Sequence, residues 1–291
     1  MNWQGVIPVV TTPFDADGEL DLSGYAENIE RLIDTGVDGI IALATAGEGP
    51  SMSRAECVDV VRTAVQTAKG RIPVAVGFGG PNERDAKDAL AVYTDLGVDS
   101  ALIVTPYFYP LLRSEMLDYF RRIGAATHLP LCFYNSTYAN LPLTPDALEE
   151  LAEDIPNFVA LKEGNQLQAS DVIRRLEGRV KVLTARDLYM HELLASGGDG
   201  MIAFTANVVP ELVVEMYRSA QAGDMDKVRD IQRRLNPLVW MLVKRSFPGG
   251  IKAAMELRGW AAGPVRAPLT TYSPDEIEQL RGILHDLGAI D

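Results

Sequence analysis

Two cysteines and three histidines are all that this 291-residue chain has of the side chains that most often crosslink or bind transition metals. Cys57 and Cys132 lie far apart in different expected elements, so neither a disulfide framework nor a Cys-rich zinc site is indicated. His128, His191 and His285 fall before a strand, in a helix and in the last helix, none at a strand's end, which argues against a His-based catalytic metal site. Positive charge is scarce as well. A net charge of −13 argues against nucleic acid or an anionic membrane as partner, because both are bound through clustered Lys and Arg. No apolar run reaches transmembrane length, and the start "MNWQGVIPVV" lacks the basic residues and long apolar core of a signal peptide. The expectation is a cytoplasmic protein. What the chain does have is apolar material: 47% of its residues are hydrophobic, enough for a large core.

That material recurs at a regular pace. Short, β-branched apolar runs at 6–14, 37–45, 72–79, 98–106, 129–135, 158–164, 180–186 and 199–207 read as eight strands. Amphipathic helical patterns separate them. The first carries Tyr25, Ile29, Leu32 and Ile33 and stops at Gly36; the second opens on the capping box Ser53 to Glu56; the fifth opens on Thr144-Pro145. The rest fall near 82–96, 113–127, 166–177, 187–197 and 210–222. Nearly continuous apolar strands alternating with helices imply a parallel sheet covered on its outer face. Eight such units predict an α/β fold, a (β/α)8 TIM barrel over 1–222. The runner-up, a doubly wound open sheet, is weakened by the count of eight and by the absence of a GxGxxG after the first strand. Residues 223–291 read as helical only, near 224–244, 249–259 and 274–288: a C-terminal helical extension packed on the barrel.

Barrel enzymes carry their chemistry at the C-terminal ends of the strands. Of seven lysines, only Lys162, ending "FVALK", falls there. If the face shared by Phe158, Ala160 and Lys162 points inward, the amine enters the barrel mouth. Burial disfavours the ammonium, and a partly neutral amine attacks a ketone to give a Schiff base. The competing reading is a structural ion pair, but Glu163, next along the strand, points to the opposite face. Tyr134 ends the preceding strand and is a candidate proton shuttle or a core-packing ring. Thr45 ends the second strand, followed by "AGEG", whose glycines let backbone N–H groups face an anion or simply make a tight turn.

With "GVIPVVTTPF", "ATAGEGPSMSRAE", "TPYFY", "CFYN", "ALKEG" and "GGDGMIAFTANVVP" in this order, and Tyr134-Asn135 standing 28 residues before Lys162-Glu163, nearly the whole chain resembles the pyruvate-dependent class I aldolases. That family includes dihydrodipicolinate synthase and N-acetylneuraminate lyase. The resemblance implies that Lys162 forms an imine with pyruvate or another 2-keto acid, that Tyr134 shuttles protons and that Thr45 supports the relay. It further implies that backbone around Thr45, Ala46 and Gly47 holds the substrate carboxylate, that Ile202 contacts pyruvate and that Glu48 is structural. No metal or organic cofactor is implied, and the assembly would be a homotetramer or homodimer. The departures concern the substrate. Ala46 replaces a second hydroxyl of the family's box, Ala139 stands where the synthases carry an arginine for the aldehyde substrate's carboxylate, and Phe108 stands where they lend a neighbouring subunit a relay tyrosine. Arg186 and Asp187 stand where the family often has a Gly-Asp pair; Arg186 would receive a distal carboxylate or the hydroxyls of a longer sugar acid, or form a rim ion pair with Asp187 or another loop carboxylate.

The resulting expectation is a Schiff-base aldolase or dehydratase acting on a 2-keto-3-deoxy sugar acid or a related 2-keto acid. The alternatives are a dihydrodipicolinate synthase with substituted contacts and a non-catalytic 2-keto-acid-binding regulatory protein.

Overall fold

The computed structural model describes residues 1–79, 82–107, 109–136, 142–245 and 247–291; Phe108 and Ala139 lie outside these. Eight strands form one sheet: β1 (Gly5–Val6), β2 (Ile40–Leu43), β3 (Val74–Phe78), β4 (Ser100–Val104), β5 (Leu131–Asn135), β6 (Phe158–Glu163), β7 (Lys181–Thr184) and β8 (Gly200–Met201). The helices between them are α1 (Leu22–Thr35), α2 (Arg54–Ala68), α3 (Glu83–Asp95), α4 (Arg113–Gly124), α5 (Pro145–Asp154), α6 (Ala169–Leu176) and α7 (Met190–Ala195), with α8 (Pro210–Gln221) after the last strand. Then follow α9 (Met225–Leu242), α10 (Gly249–Leu257) and α11 (Pro274–Asp286). None of the helices among the described residues is long and apolar enough to cross a membrane.

All the strand pairs are parallel and run in the order β1-β8-β7-β6-β5-β4-β3-β2. The ring closes just past β1, where Ile41 N–H donates to the Pro8 carbonyl and Val10 N–H to the Ile41 carbonyl, both at 2.9 Å. The architecture is the expected TIM barrel. Local sequence sets many of its joints. Asp21 caps α1 by accepting from Gly24 N–H at 2.8 Å, and Gly36 ends that helix at φ +84°, which a residue with a Cβ adopts only at a cost. The Ser53–Glu56 box opens α2, Thr144 with Pro145 opens α5, and a second box, Ser273–Glu276, opens α11.

The outer strands are shorter than their apolar runs. Pro8 and Pro13 have no N–H to give a ladder, so β1 ends at Val6. The run after β8 turns instead of extending, because the Phe204 and Thr205 N–H groups donate to the Asp187 carboxylate at 3.3 and 2.8 Å. The face expected from simple alternation also needs one correction. The β5–β6 register shifts by a residue, so that Leu131 pairs with Phe158 but Cys132 with Ala160. The extra residue is Val159, and it turns Phe158 away from the face of Ala160 and Lys162. Phe158 instead stacks on Phe133 at 4.3 Å between ring centroids, and Phe133 meets Phe120 of α4 at 4.2 Å.

Above the bulge the register is regular: Tyr134 stands opposite Lys162 and Asn135 opposite Glu163. The second pair is bonded through its side chains. Asn135 Nδ2 donates to both Glu163 oxygens at 3.0 and 3.1 Å and to the Leu143 carbonyl at 3.0 Å, while Asn135 Oδ1 accepts from Leu143 N–H at 2.8 Å. Replacing Asn135 with alanine would strip a donor from a buried carboxylate and leave the Leu143 N–H without its partner, while the Leu143 carbonyl keeps Gln168 Nε2 at 2.9 Å. We expect Asn135→Ala to lose about 3 kcal/mol in a urea unfolding series; a loss below about 1 kcal/mol would show that this side chain does not fix the strand pair.

Candidate active site

Lys162 and Tyr134 meet at the mouth of the barrel. The lysine Nζ lies 4.4 Å from the centroid of the Tyr134 ring. Such an arrangement attracts the ammonium weakly, but burial dominates. Burial lowers the Lys162 pKa from 10.5 to about 8; Cys132 and Asp187 oppose that shift and Arg186 adds to it. The Tyr134 phenol is pushed up by burial and eased down by a hydrogen bond with the Ser136 side chain and by the Arg186 charge, so at neutral pH it carries its proton. Glu163 does not pair with the lysine. Its carboxylate faces the other way and accepts from Asn165 N–H at 2.6 Å and Gln168 Nε2 at 3.0 Å besides Asn135.

Tyr134 also lines a cavity of about 580 Å³, shared with Thr45, Gly77, Val104, Tyr107 and Ser136. Its floor near β2 is the loop 43–48. Three of its non-glycine residues, Leu43, Ala44 and Glu48, have φ of 65°, 53° and 54°, a region that side chains disfavour. The loop is nevertheless well bonded: Ala44 N–H donates to the Gly77 carbonyl at 2.7 Å and Thr12 Oγ1 to the Gly47 carbonyl at 2.7 Å. Gly47 is required here, because a Cβ on it would come within 2.2 Å of the Leu43 carbonyl oxygen. Gly47 N–H is already engaged with that same oxygen at 3.1 Å, and Glu48 N–H with the Thr45 carbonyl at 3.1 Å. Among the described residues the N–H groups of Thr45 and Ala46 donate to nothing. Of the three backbone positions expected to hold a carboxylate, these two have donors to give.

Ile202 is buried just past β8, its N–H on the Thr184 carbonyl at 3.0 Å. It lies two residues on from Gly200, which pairs with Leu183, the residue opposite Lys162. Arg186 is half-buried above β7, close enough for its charge to act on both Lys162 and Tyr134. Asp187 is not a rim residue. It is 1% exposed, accepts from Thr205 Oγ1 at 2.6 Å as well as from the two backbone groups, and burial raises its pKa to about 6. Ser136 was not singled out in the sequence. Its position two residues after Tyr134, on the same strand parity, is the signal that would have found it. Thr45 is exposed at the cavity, and the contact to the phenol comes from Ser136. Among the described residues no group of three or more His, Cys, Asp and Glu side chains gathers as a metal site.

The buried amine makes a stability prediction with a definite sign. Lys162 binds its proton less tightly in the folded chain than in the unfolded one, so stability rises with pH between about 8 and 10.5 and bears the full cost of the buried ammonium below that window. A shift of this size is worth about 3 kcal/mol. Lys162→Met should therefore be more stable than wild type near neutral pH by up to about 3 kcal/mol, with the gap closing as pH passes the upper limit. Denaturant midpoints at several pH values measure it; a pH-independent gap would refute the depressed pKa.

Comparison with known proteins agrees with this architecture. Residues 2–287 match the Dihydrodipicolinate synthetase family. A 4-hydroxy-tetrahydrodipicolinate synthase from Methanocaldococcus jannaschii is 34% identical over 291 residues, covering 99% of this chain and 100% of that protein. Among solved structures, dihydrodipicolinate synthase from Acinetobacter baumannii, complexed with pyruvate, superposes with a TM-score of 0.95 at 30% identity over 100% of both chains. A prophage protein of the same family from E. coli K12, also in complex with pyruvate, gives 0.95 at 28% identity, covering 99% of this chain and 100% of that one.

Proposed function

The chain belongs to the dihydrodipicolinate synthetase family, an enzyme family of class I lyases that work through a lysine Schiff base, and on that premise we propose that Lys162 forms an imine with pyruvate. The observation that carries this is the half-buried Lys162 side chain, its amine desolvated and its pKa lowered to about 8, against the ring of a protonated tyrosine. The neutral amine adds to the keto carbon, and loss of water gives a protonated imine. That imine is an electron sink: it acidifies the adjacent methyl group and yields an enamine that attacks an aldehyde. Tyr134 gives and takes the protons, with Thr45 and Ser136 beside it at the cavity. The Thr45 and Ala46 N–H groups receive the pyruvate carboxylate, and Ile202 packs against the substrate. Arg186 supplies the positive charge for a distal group of the second substrate.

For the second substrate, the names of the curated relatives support 4-hydroxy-tetrahydrodipicolinate synthesis, the condensation of pyruvate with aspartate semialdehyde. They weigh toward this reading over the sugar-acid aldolase or dehydratase that the residues alone put first. The sugar-acid reading keeps one specific support: Phe108 has no hydroxyl to relay a proton, and Ala139 has no charge for the semialdehyde's carboxylate. We further propose a cytoplasmic homotetramer or homodimer; the exposed Tyr107, Tyr109 and Leu112 after β4 support the association.

Borohydride reduction in the presence of pyruvate tests the chemistry. It should add the mass of reduced pyruvate to wild type and none to Lys162→Ala; wild type that stays unlabelled refutes the imine. Tyr134→Phe should still be labelled while turnover falls by about two orders of magnitude. Turnover of wild type with pyruvate and aspartate semialdehyde, compared with cleavage of 2-keto-3-deoxy sugar acids, decides the second substrate. Labelling without turnover on either would leave the non-catalytic binding protein.

A further inference from the structure

The loop that offers the Thr45 and Ala46 N–H groups is gripped from outside the barrel. Glu48, which closes it, has φ of 54°. Its carboxylate is buried, one oxygen 2.6 Å from Nζ of Lys252 on α10, the pair having 2% and 1% side-chain exposure. The other oxygen accepts from Arg266 N–H at 3.0 Å. Lys252 also donates to the Pro264 carbonyl at 2.8 Å and lies 4.1 Å from the centroid of the Phe14 ring. The Arg266 guanidinium lies 4.2 Å from the same centroid and reaches the Ser51 carbonyl at 3.1 Å, the Gly18 carbonyl at 2.7 and 3.0 Å and the Glu56 carboxylate. Residues more than 200 positions later in the chain therefore hold both ends of the turn 48–51.

A fully buried ion pair is a poor way to gain stability, since desolvating two charges offsets most of their attraction and apolar side chains of the same size serve as well. What the pair supplies is direction. A carboxylate fixed at both oxygens fixes the backbone that bears it, and here that backbone is disfavoured on its own.

We propose that Lys252 and Arg266 are positioning residues for the pyruvate carboxylate: Lys252 and the Arg266 N–H acting on Glu48, and the Arg266 guanidinium acting on the Ser51 and Gly18 carbonyls, hold the N–H groups of Thr45 and Ala46 in the geometry that receives it. The inference rests on the Schiff-base reading above. It assigns α10 and the segment after it a part in substrate binding, although neither reaches the substrate. Uniform loosening of the carboxylate subsite weakens pyruvate binding more than it slows the chemistry at Lys162.

The test is the pyruvate concentration that half-saturates borohydride labelling of Lys162. Lys252→Met and Glu48→Gln should each raise it by about tenfold, with labelling at saturating pyruvate equal to wild type. The double variant should be no worse than either single one, because both break the same contact, and Lys252→Arg should recover part of the loss. Arg245→Gln, which breaks the Arg245–Glu276 contact near α11, serves as a stability control of comparable Tm and should leave half-saturation unchanged. Should Lys252→Met not fold, Arg266→Lys, which keeps the backbone bond to Glu48 but not the forked contacts to Gly18 and Ser51, gives the same readout. A rise of less than about threefold in these variants, or an equal rise in the control, overturns the proposal. Wild type that is not labelled at any pyruvate concentration refutes the Schiff-base reading itself, an outcome distinct from a shifted half-saturation.

Discussion

The pairing of β5 with β6 is the constraint on which the site depends. Parallel strands place side chains of equal register on the same face, so Tyr134 opposite Lys162 means phenol and amine together at the mouth. A slip of one residue would send the lysine outward among the helices. Two features hold the register. Below, the bulge at Val159 lets Phe158 fill the aromatic stack with Phe133 and Phe120 while Ala160 and Lys162 stay inward. Above, Asn135 and Glu163 form a side-chain crossbar on the face opposite the reactive pair. The same Asn135 binds both backbone groups of Leu143, so the crossbar also fixes the chain just ahead of α5.

The crossbar also explains why Glu163 does not offset the desolvation of the Lys162 amine. Glu163, the nearest carboxylate in sequence, is saturated with donors from Asn135, Asn165 and Gln168 on the far side of the sheet. It cannot stabilise the ammonium as a contact ion pair, so desolvation prevails. The remaining influences act in opposite directions: Cys132 and Asp187 hold the proton on, Arg186 drives it off. Asp187 acts only at a distance because Thr205 and Phe204 occupy its oxygens, a contact that also bends the chain after β8. A partly neutral amine at physiological pH is thus the outcome of hydrogen bonds that keep carboxylates busy elsewhere.

Much of this was legible in the sequence. Eight apolar runs, the helix caps at Ser53 and Thr144, and a single lysine at a strand's end follow from periodicity and local chemistry, which short windows encode. What short windows do not encode was missed. The bulge at Val159 is decided by which partner residue wins the stack, not by the alternation of "FVALK". The short β1 and β8 reflect prolines and a carboxylate many residues away. That Gly47 spends its N–H on Leu43 is a fact of loop geometry, and the Lys252–Glu48 contact joins residues that no spacing rule connects. Phe108 and Ala139, where the sequence departs most tellingly from its family, lie outside the described residues, so their weight in choosing a second substrate still comes from sequence.

The two halves of the site are built by different means. The half that would hold pyruvate is made of backbone: N–H groups on a loop pinned by Thr12, Gly77 and Glu48, and a lysine and tyrosine fixed by strand register. Backbone donors do not depend on which side chain stands at the position, so the loss of a hydroxyl at Ala46 leaves the N–H in place. The half that would hold a second substrate is made of side chains on loops, at Tyr107, Ser136 and Arg186. Loop side chains change without disturbing a ladder or a core. One barrel can therefore keep the imine chemistry while changing what the enamine attacks. Here the names of the curated relatives and the residues Phe108 and Ala139 point to different second substrates, as expected if register fixes the first half and nothing in the sheet fixes the second.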